Sequence, residues 1–293
     1  MKIRLIRVIR GLLKGCNMRI DSHQHFWKYS IEEYGWINDQ MSILKRDFLP
    51  EDLFQELSSN DIDGSIAVQA RQNLDETEWL LKLAEEYTFI RGVVGWLDIR
   101  SPKFKHQLEK YTRRNKLVGI RHVVQDESDD RFMLRSEFIE GIRLLENYDL
   151  VYDILIFENQ LPAAIELVTR FPNQRFVLDH IGKPKISYNL LDPWKSLMTE
   201  LADYPGVYCK VSGMVTEADW NNWKKEDFLP YLDTVFDVFG ANRIMFGSDW
   251  PVCTVAASYN KVIEIVQDFI KQFSSDDQEK ILGKNASKIY NLK

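Results

Sequence analysis

What most constrains the fold of this chain is an alternation that starts at Met18 and runs nearly to its end. Eight short runs, at residues 18–22, 64–69, 92–97, 118–124, 150–156, 175–179, 207–212 and 243–248, are rich in Val and Ile and mostly apolar on both faces. A strand apolar on both faces is covered on both faces, the mark of a parallel sheet whose crossovers are helices. The intervening segments read as helical, among them 76–87, 138–147, 160–170 and 192–202. Pro162 stands in the first turn of one of these, where proline is tolerated, and Pro172 follows its end. Asp75 and Glu78 have the spacing of a capping box ahead of another. Eight strands alternating with helices over about 275 residues predict an α/β fold, a (β/α)₈ TIM-type barrel in one domain over residues 18–293. Residues 255–273 read as the last barrel helix and 276–292 as an extra C-terminal helix closing over the barrel. A doubly wound open sheet is the alternative, but no Gly-x-Gly-x-x-Gly follows the first strand.

Composition narrows the function classes. At 45% hydrophobic, the 293 residues supply the core such a barrel needs. A net charge of −6 gives no reason to expect nucleic acid as a partner. No apolar run approaches the ~20 residues of a transmembrane segment. Cys16, Cys209 and Cys253 form no CxxC or disulfide spacing, so a reducing, cytoplasmic setting is expected. Residues 1–17 carry Lys2, Arg4, Arg7, Arg10 and Lys14 and no acid. Arg7 and Arg10 interrupt the apolar core of a signal peptide, so the stretch reads as an N-terminal extension outside the fold. A basic amphipathic helix at a membrane surface is the other reading.

Ten residues, from Met18 to Trp27, concentrate the chemistry in Asp21-Ser-His-Gln-His25. Side chains alternate along a strand, so His23 and His25 share a face, about 7 Å apart at ~3.3 Å per residue. Two imidazoles so placed can converge on a metal ion or a substrate carbonyl oxygen. They can also be two half-buried polar residues at the end of a strand.

In a barrel of this type the active site lies at the C-terminal ends of the strands, and that rule sorts the polar residues. His23 and His25 end the first run, Arg121 and His122 lie in the fourth, and Asp153 lies in the fifth. His180, Ser212 and Asp249 end the sixth, seventh and eighth. Three of the five histidines and one aspartate are thus expected at one rim, whereas His106 is not. Asp249 can instead be a turn or N-cap residue before Pro251. His180 can instead cap a carbonyl. Arg121 can present its planar fork to a ligand or pair with an acid such as Asp153. Ser212 lacks a nucleophile elbow.

Six segments, taken in order, carry a resemblance. Asp21-Ser-His-Gln-His-Phe-Trp27, Gly92-Val-Val-Gly-Trp96, Gly119-Ile-Arg-His-Val-Val-Gln125, Val177-Leu-Asp-His-Ile-Gly-Lys-Pro184, Cys209-Lys-Val-Ser-Gly213 and Phe246-Gly-Ser-Asp-Trp-Pro251 resemble the amidohydrolase superfamily. The resemblance is to the branch holding sugar-lactone hydrolases and 2-pyrone-4,6-dicarboxylate hydrolase, most nearly to its L-fuconolactonase and L-rhamnonolactonase members. It implies a hydrolase acting on a small-molecule sugar lactone, with Asp249, His180, His23 and His25 as catalytic residues and Asp249 as general base. Arg121, His122, Trp27, Trp96 and Trp250 are the expected substrate contacts, an aromatic ring forming a wall against the sugar.

In the wider superfamily a metal also takes a lysine or glutamate on strand four and a histidine on strand five. Here strand four offers Arg121 and His122, and residues 151–156 hold no histidine, so a binuclear centre is not expected. One divalent metal, zinc, on His23, His25 and Asp249 is the ligand set implied, and three protein ligands plus water suffice for catalysis. The branch also includes members that work without metal, which leaves metal dependence open. A metal-dependent decarboxylase of an aromatic or unsaturated acid is the second reading, and a non-catalytic barrel that binds a sugar acid the third. Homo-oligomerisation is left open.

Overall fold

The computed structural model describes residues 18–293. The expectations for residues 1–17 lie outside the described residues. Eight strands form one sheet in strict sequence order: β1 (Ile20–Gln24), β2 (Gly64–Val68), β3 (Ile90–Gly95), β4 (Leu117–Val123), β5 (Val151–Leu155), β6 (Phe176–Leu178), β7 (Val207–Val211) and β8 (Ile244–Phe246). Every neighbouring pair from β1–β2 to β7–β8 is parallel. Helices cross over between them, as two-sided apolar strands require.

The barrel closes at its upper rim. β8 lies beside β1 without a ladder, and the contact comes as a parallel bridge from Gln24, the last residue of β1, to Trp250, just past β8. There the His25 amide donates to the Trp250 carbonyl at 2.7 Å and the Asp249 amide to the His23 carbonyl at 2.8 Å. The sequence-distant ends of the barrel are therefore stitched together at the residues of chemical interest.

Two apolar clusters hold the fold. One lies between the sheet and its helices. The other fills the barrel with Ile20, Ile66, Val68, Val94, Val118, Val151, Val177 and Met245. Branched side chains of this kind pack a barrel interior in layers, and each fully buried one contributes roughly 1.5–3 kcal/mol. Ala286, Ile289 and Tyr290 join this inner cluster from the C-terminal segment.

That segment is broken where the sequence suggested one helix. Ser275–Glu279 and Asn285–Ile289 are helical, and Lys280–Lys284 forms a wider turn between them. Gly283 sits so close to β1 that a Cβ there would lie 1.9 Å from the Met18 carbonyl oxygen. Arg175 donates to the Ile289 carbonyl at 2.8 Å, and Asn285 donates to the Ile244 carbonyl at 2.7 Å. The segment thus closes the barrel at the N-terminal ends of the strands.

The boundary of the helix expected at 76–87 also differs. Leu74–Glu86 begins earlier than expected, because Asn73 is the cap and accepts the Glu76 amide at 2.8 Å. Asp75 and Glu78 therefore form no capping box; Asp75 lies inside the first turn. Among the described residues no helix is long and apolar enough to cross a membrane.

Candidate active site

The upper rim opens into a cavity of about 770 Å³. His25, Arg121, His180 and Asp249 reach it from the barrel, and Trp36, Phe157, Lys183, Glu217 and Trp220 line it from the loops. The organising atom is Asp249 Oδ1. It lies 3.4 Å from His25 Nε2, 3.8 Å from His23 Nε2 and 4.0 Å from His180 Nε2. His23 and His25 face each other with their Nε2 atoms 3.2 Å apart, as two side chains on one face of a strand should.

The backbone is unusual where the later residues turn into the cavity. β6 ends at Leu178, and His180 and Ile181 adopt left-handed conformations with φ of 54° and 49°. Asp249 does the same with φ of 56°. Two glycines leave room for the rings. A Cβ on Gly247 would lie 2.7 Å from His23 Cβ, and one on Gly213, itself at φ +64°, would lie 2.6 Å from His180 Nδ1.

Second partners orient the imidazoles. His25 Nδ1 is 2.8 Å from the Val68 carbonyl, which can only accept, so Nδ1 carries a proton and Nε2 is the nitrogen turned to the cavity. His180 Nδ1 pairs with Ser212 Oγ at 2.9 Å. Burial holds His23 and His180 well below the ordinary histidine value, so both rings are neutral at pH 7. Burial pushes Asp249 upward, but His180, His25 and Lys183 outweigh it and keep the carboxyl below its ordinary value, ionised. Burial also lifts the Glu217 carboxyl against the pull of Lys183.

Beneath the histidines lies a fully buried charge network. Lys210 Nζ contacts Asp153 at 2.5 Å and Asp179 at 2.9 Å, and stands 3.3 Å from His23 Nδ1. Arg121 Nη1 pairs with Asp179 at 2.9 Å and its Nη2 donates to the Gln69 carbonyl. The Tyr290 hydroxyl donates to Asp153 at 2.8 Å. Burial pushes Asp153 up to about 6 despite Lys210, while Lys210, His23 and Arg121 overcome burial at Asp179 and hold it well below the ordinary range.

A family model described as amidohydrolase matches residues 20–292, which takes in every element of this site. The chain belongs to the amidohydrolase family. Among its relatives, the L-fucono-1,5-lactonase of Burkholderia multivorans is 42% identical over 286 residues, 94% of this chain and 96% of that protein. The L-fucono-1,5-lactonase of Burkholderia ambifaria is 33% identical over 94% of this chain and 96% of its own. A crystal structure of a Burkholderia multivorans amidohydrolase with bound zinc superposes with a TM-score of 0.91 at 42% identity, covering 94% of this chain and 100% of that one. The sequence resemblance to this family and the barrel it implies are both borne out.

In this amidohydrolase His23, His25 and Asp249 offer ligand atoms all within 4.8 Å of one another. Two imidazoles and a carboxylate, with His25 anchored through Nδ1 on Val68 and its Nε2 turned inward, fit one divalent metal with a free position. His23 can join the set with its proton on Nδ1, where Asp179 Oδ1 lies 3.3 Å away to accept it. A second group, His23, Asp179 and His180, also comes within that distance, but Lys210 and Arg121 already neutralise Asp179.

The expected substrate contacts separate into two sets. Arg121 reaches the cavity, although its acidic partner is Asp179 and not Asp153, which pairs with Lys210. His122, one residue on, points to the opposite face, where it pairs with Glu127 at 2.7 Å and stacks on Phe132. Trp27 is fully buried against Phe48 and donates to the Arg46 carbonyl at 3.0 Å. Trp250 packs between Phe26 and Phe48 and borders a separate groove of about 250 Å³. Trp96 is tied through its backbone to Thr77 and does not line the cavity. The aromatic walls are Trp36, Phe157 and Trp220 instead. Asp179 and Lys210 were not singled out in the sequence, although a lysine inside an apolar strand is itself a sign of a buried partner.

Proposed function

We propose that this amidohydrolase opens a sugar lactone of the L-fucono- or L-rhamnono-type to the sugar acid. The observation that carries the reading is the convergence of His23, His25 and His180 on Asp249 Oδ1 at the base of the cavity. The lactonases of the two Burkholderia species supply the substrate class.

Asp249 is the general base and takes a proton from water as the water oxygen bonds to the lactone carbonyl carbon. Its carboxyl, held below the ordinary value, is ionised at neutral pH. A lactone is an activated ester, so a weak base is enough. The neutral His180 ring donates from Nε2 to the developing oxyanion while Ser212 fixes its Nδ1. His25 accepts at Nε2 and orients the attacking water. Collapse breaks the bond between carbonyl carbon and ring oxygen, and that oxygen takes up the proton Asp249 removed from water, which returns Asp249 to its carboxylate. His23, His25 and Asp249 would hold a divalent ion, zinc in this reading, which would supply Lewis-acid stabilisation of the developing negative charge.

The test is hydrolysis of L-fucono-, L-rhamnono-, L-galactono- and D-gluconolactone, followed with a pH indicator with and without chelator. Turnover of one deoxy-sugar lactone above the rest is expected, and no turnover of any overturns the reading. Asp249→Asn should lower kcat by about 100-fold or more, the scale of a lost general base. A rate equal to wild type would remove Asp249 from that role. The chelator arm decides the metal.

A further inference from the structure

Five carboxylates line the cavity, Glu32, Glu33, Asp126, Glu217 and Asp249, against three cations. Each cation is already occupied. Arg71 is paired with Glu33, Lys183 with Glu217 at 3.6 Å, and Arg121 with Asp179 at 2.9 Å. Both terminal nitrogens of Arg121 point into the barrel wall, one to Asp179 and the other to the Gln69 carbonyl. Arg121 therefore has no free fork to grip a substrate carboxylate, the geometry that recognition of such a group uses, and Arg71 already engages Glu33 through one terminal nitrogen. Glu32 and Asp126 are exposed and carry no ion pair among the described residues.

Resting on the lactonase reading, we propose that this cavity selects by charge, admitting an uncharged polyol lactone and repelling both carboxylate-bearing lactones and its own product. Hydrolysis converts a neutral ring into an acid that releases a proton to solvent and carries one negative charge. The reaction thus creates the charge that the wall repels. An excess of one sign of charge in a cleft focuses its field and changes local ligand concentration by roughly 10-fold or more.

The decisive comparison uses two lactones of one ring and stereochemistry, one with a hydroxymethyl substituent and the other with a carboxylate in its place. At low salt kcat/KM for the carboxylate form should be at least about 10-fold lower. The gap should narrow at about 1 M salt, where the screening length falls to about 3 Å. It should also narrow at low salt in the double variant Glu32→Lys with Asp126→Lys. Equal kcat/KM for the two substrates, or a gap that salt leaves unchanged, overturns charge selection and leaves the lactonase reading standing. A salt-sensitive gap that the double variant does not alter removes Glu32 and Asp126 as its source and overturns this account of the wall. Failure to hydrolyse the neutral lactone overturns both.

Discussion

His180 and Asp249 hold left-handed backbone at φ 54° and 56°, a conformation that costs of order 1–3 kcal/mol per residue and persists only where the surroundings over-determine it. For His180 the surroundings include Gly213, whose missing side chain makes room for the ring. Gly213→Ala should displace the imidazole and lower kcat on the best lactone by about 10- to 100-fold, because a shift near 1 Å in a reacting group costs on that order. Steady-state kinetics on the folded variant would show it, and a wild-type rate would mean that the ring position does not matter. One layer deeper, Lys210 neutralises two buried carboxylates. Lys210→Met should destabilise the protein by about 3–5 kcal/mol in urea unfolding, the cost of stranding buried charge. A loss below ~1 kcal/mol would show that Asp153 and Asp179 find other partners or protonate at little cost. The sequence marked His23, His25, His180 and Asp249 because histidines at strand ends stand out. It could not assign Arg121 to Asp179 rather than Asp153, since Asp153 sits beside it in register on β5 while Asp179 follows β6, two strands away, and only side-chain reach decides between them.

At the scale of elements, the turn after β2 depends on one buried acid. Glu76, in the first turn of helix Leu74–Glu86, accepts the Ala70 and Arg71 amides at 3.0 and 2.8 Å and so holds the loop that brings Arg71 to the cavity. Burial raises its carboxyl from 4.5 to about 7, against the pull of those amides and of the Arg71 charge. The native state therefore binds a proton more tightly than the unfolded chain. That contribution is fully present below pH 4.5 and is lost as pH rises through about 7. Wild-type stability in urea should fall between these limits through this group, and Glu76→Gln should flatten that part of the profile. An identical slope in the variant would place the titration elsewhere. Elements of this kind were largely readable from two-sided apolar runs and helical spacing. Their ends were less so, because a cap is chosen by local hydrogen bonding: Asn73 starts its helix ahead of Asp75, and β6 stops short where the chain turns left-handed.

For the molecule as a whole, the two ends of the barrel have opposite duties. The C-terminal segment seals the lower end and sends the Tyr290 hydroxyl up to Asp153, which joins the seal through Lys210 to the network under His23. Tyr290→Phe should cost about 1–3 kcal/mol of stability, the range for leaving a buried partner short of a hydrogen bond. Thermal unfolding indistinguishable from wild type would uncouple the seal from the network. The sequence by itself determined the barrel, because eight buried strands in alternation with helices have few other ways to hide both faces. It also determined which histidines and which aspartate gather at the mouth, because strand ends in a closed barrel share one rim. The tertiary structure alone decided which aromatic rings line the cavity. Trp36 and Trp220 do so while Trp27, Trp96 and Trp250 pack away from it, since a ring at a strand end can turn to either side and only its neighbours settle which. It alone decided the pairing of every cation on the wall, because ion pairs between residues dozens of positions apart depend on distances that no local pattern records.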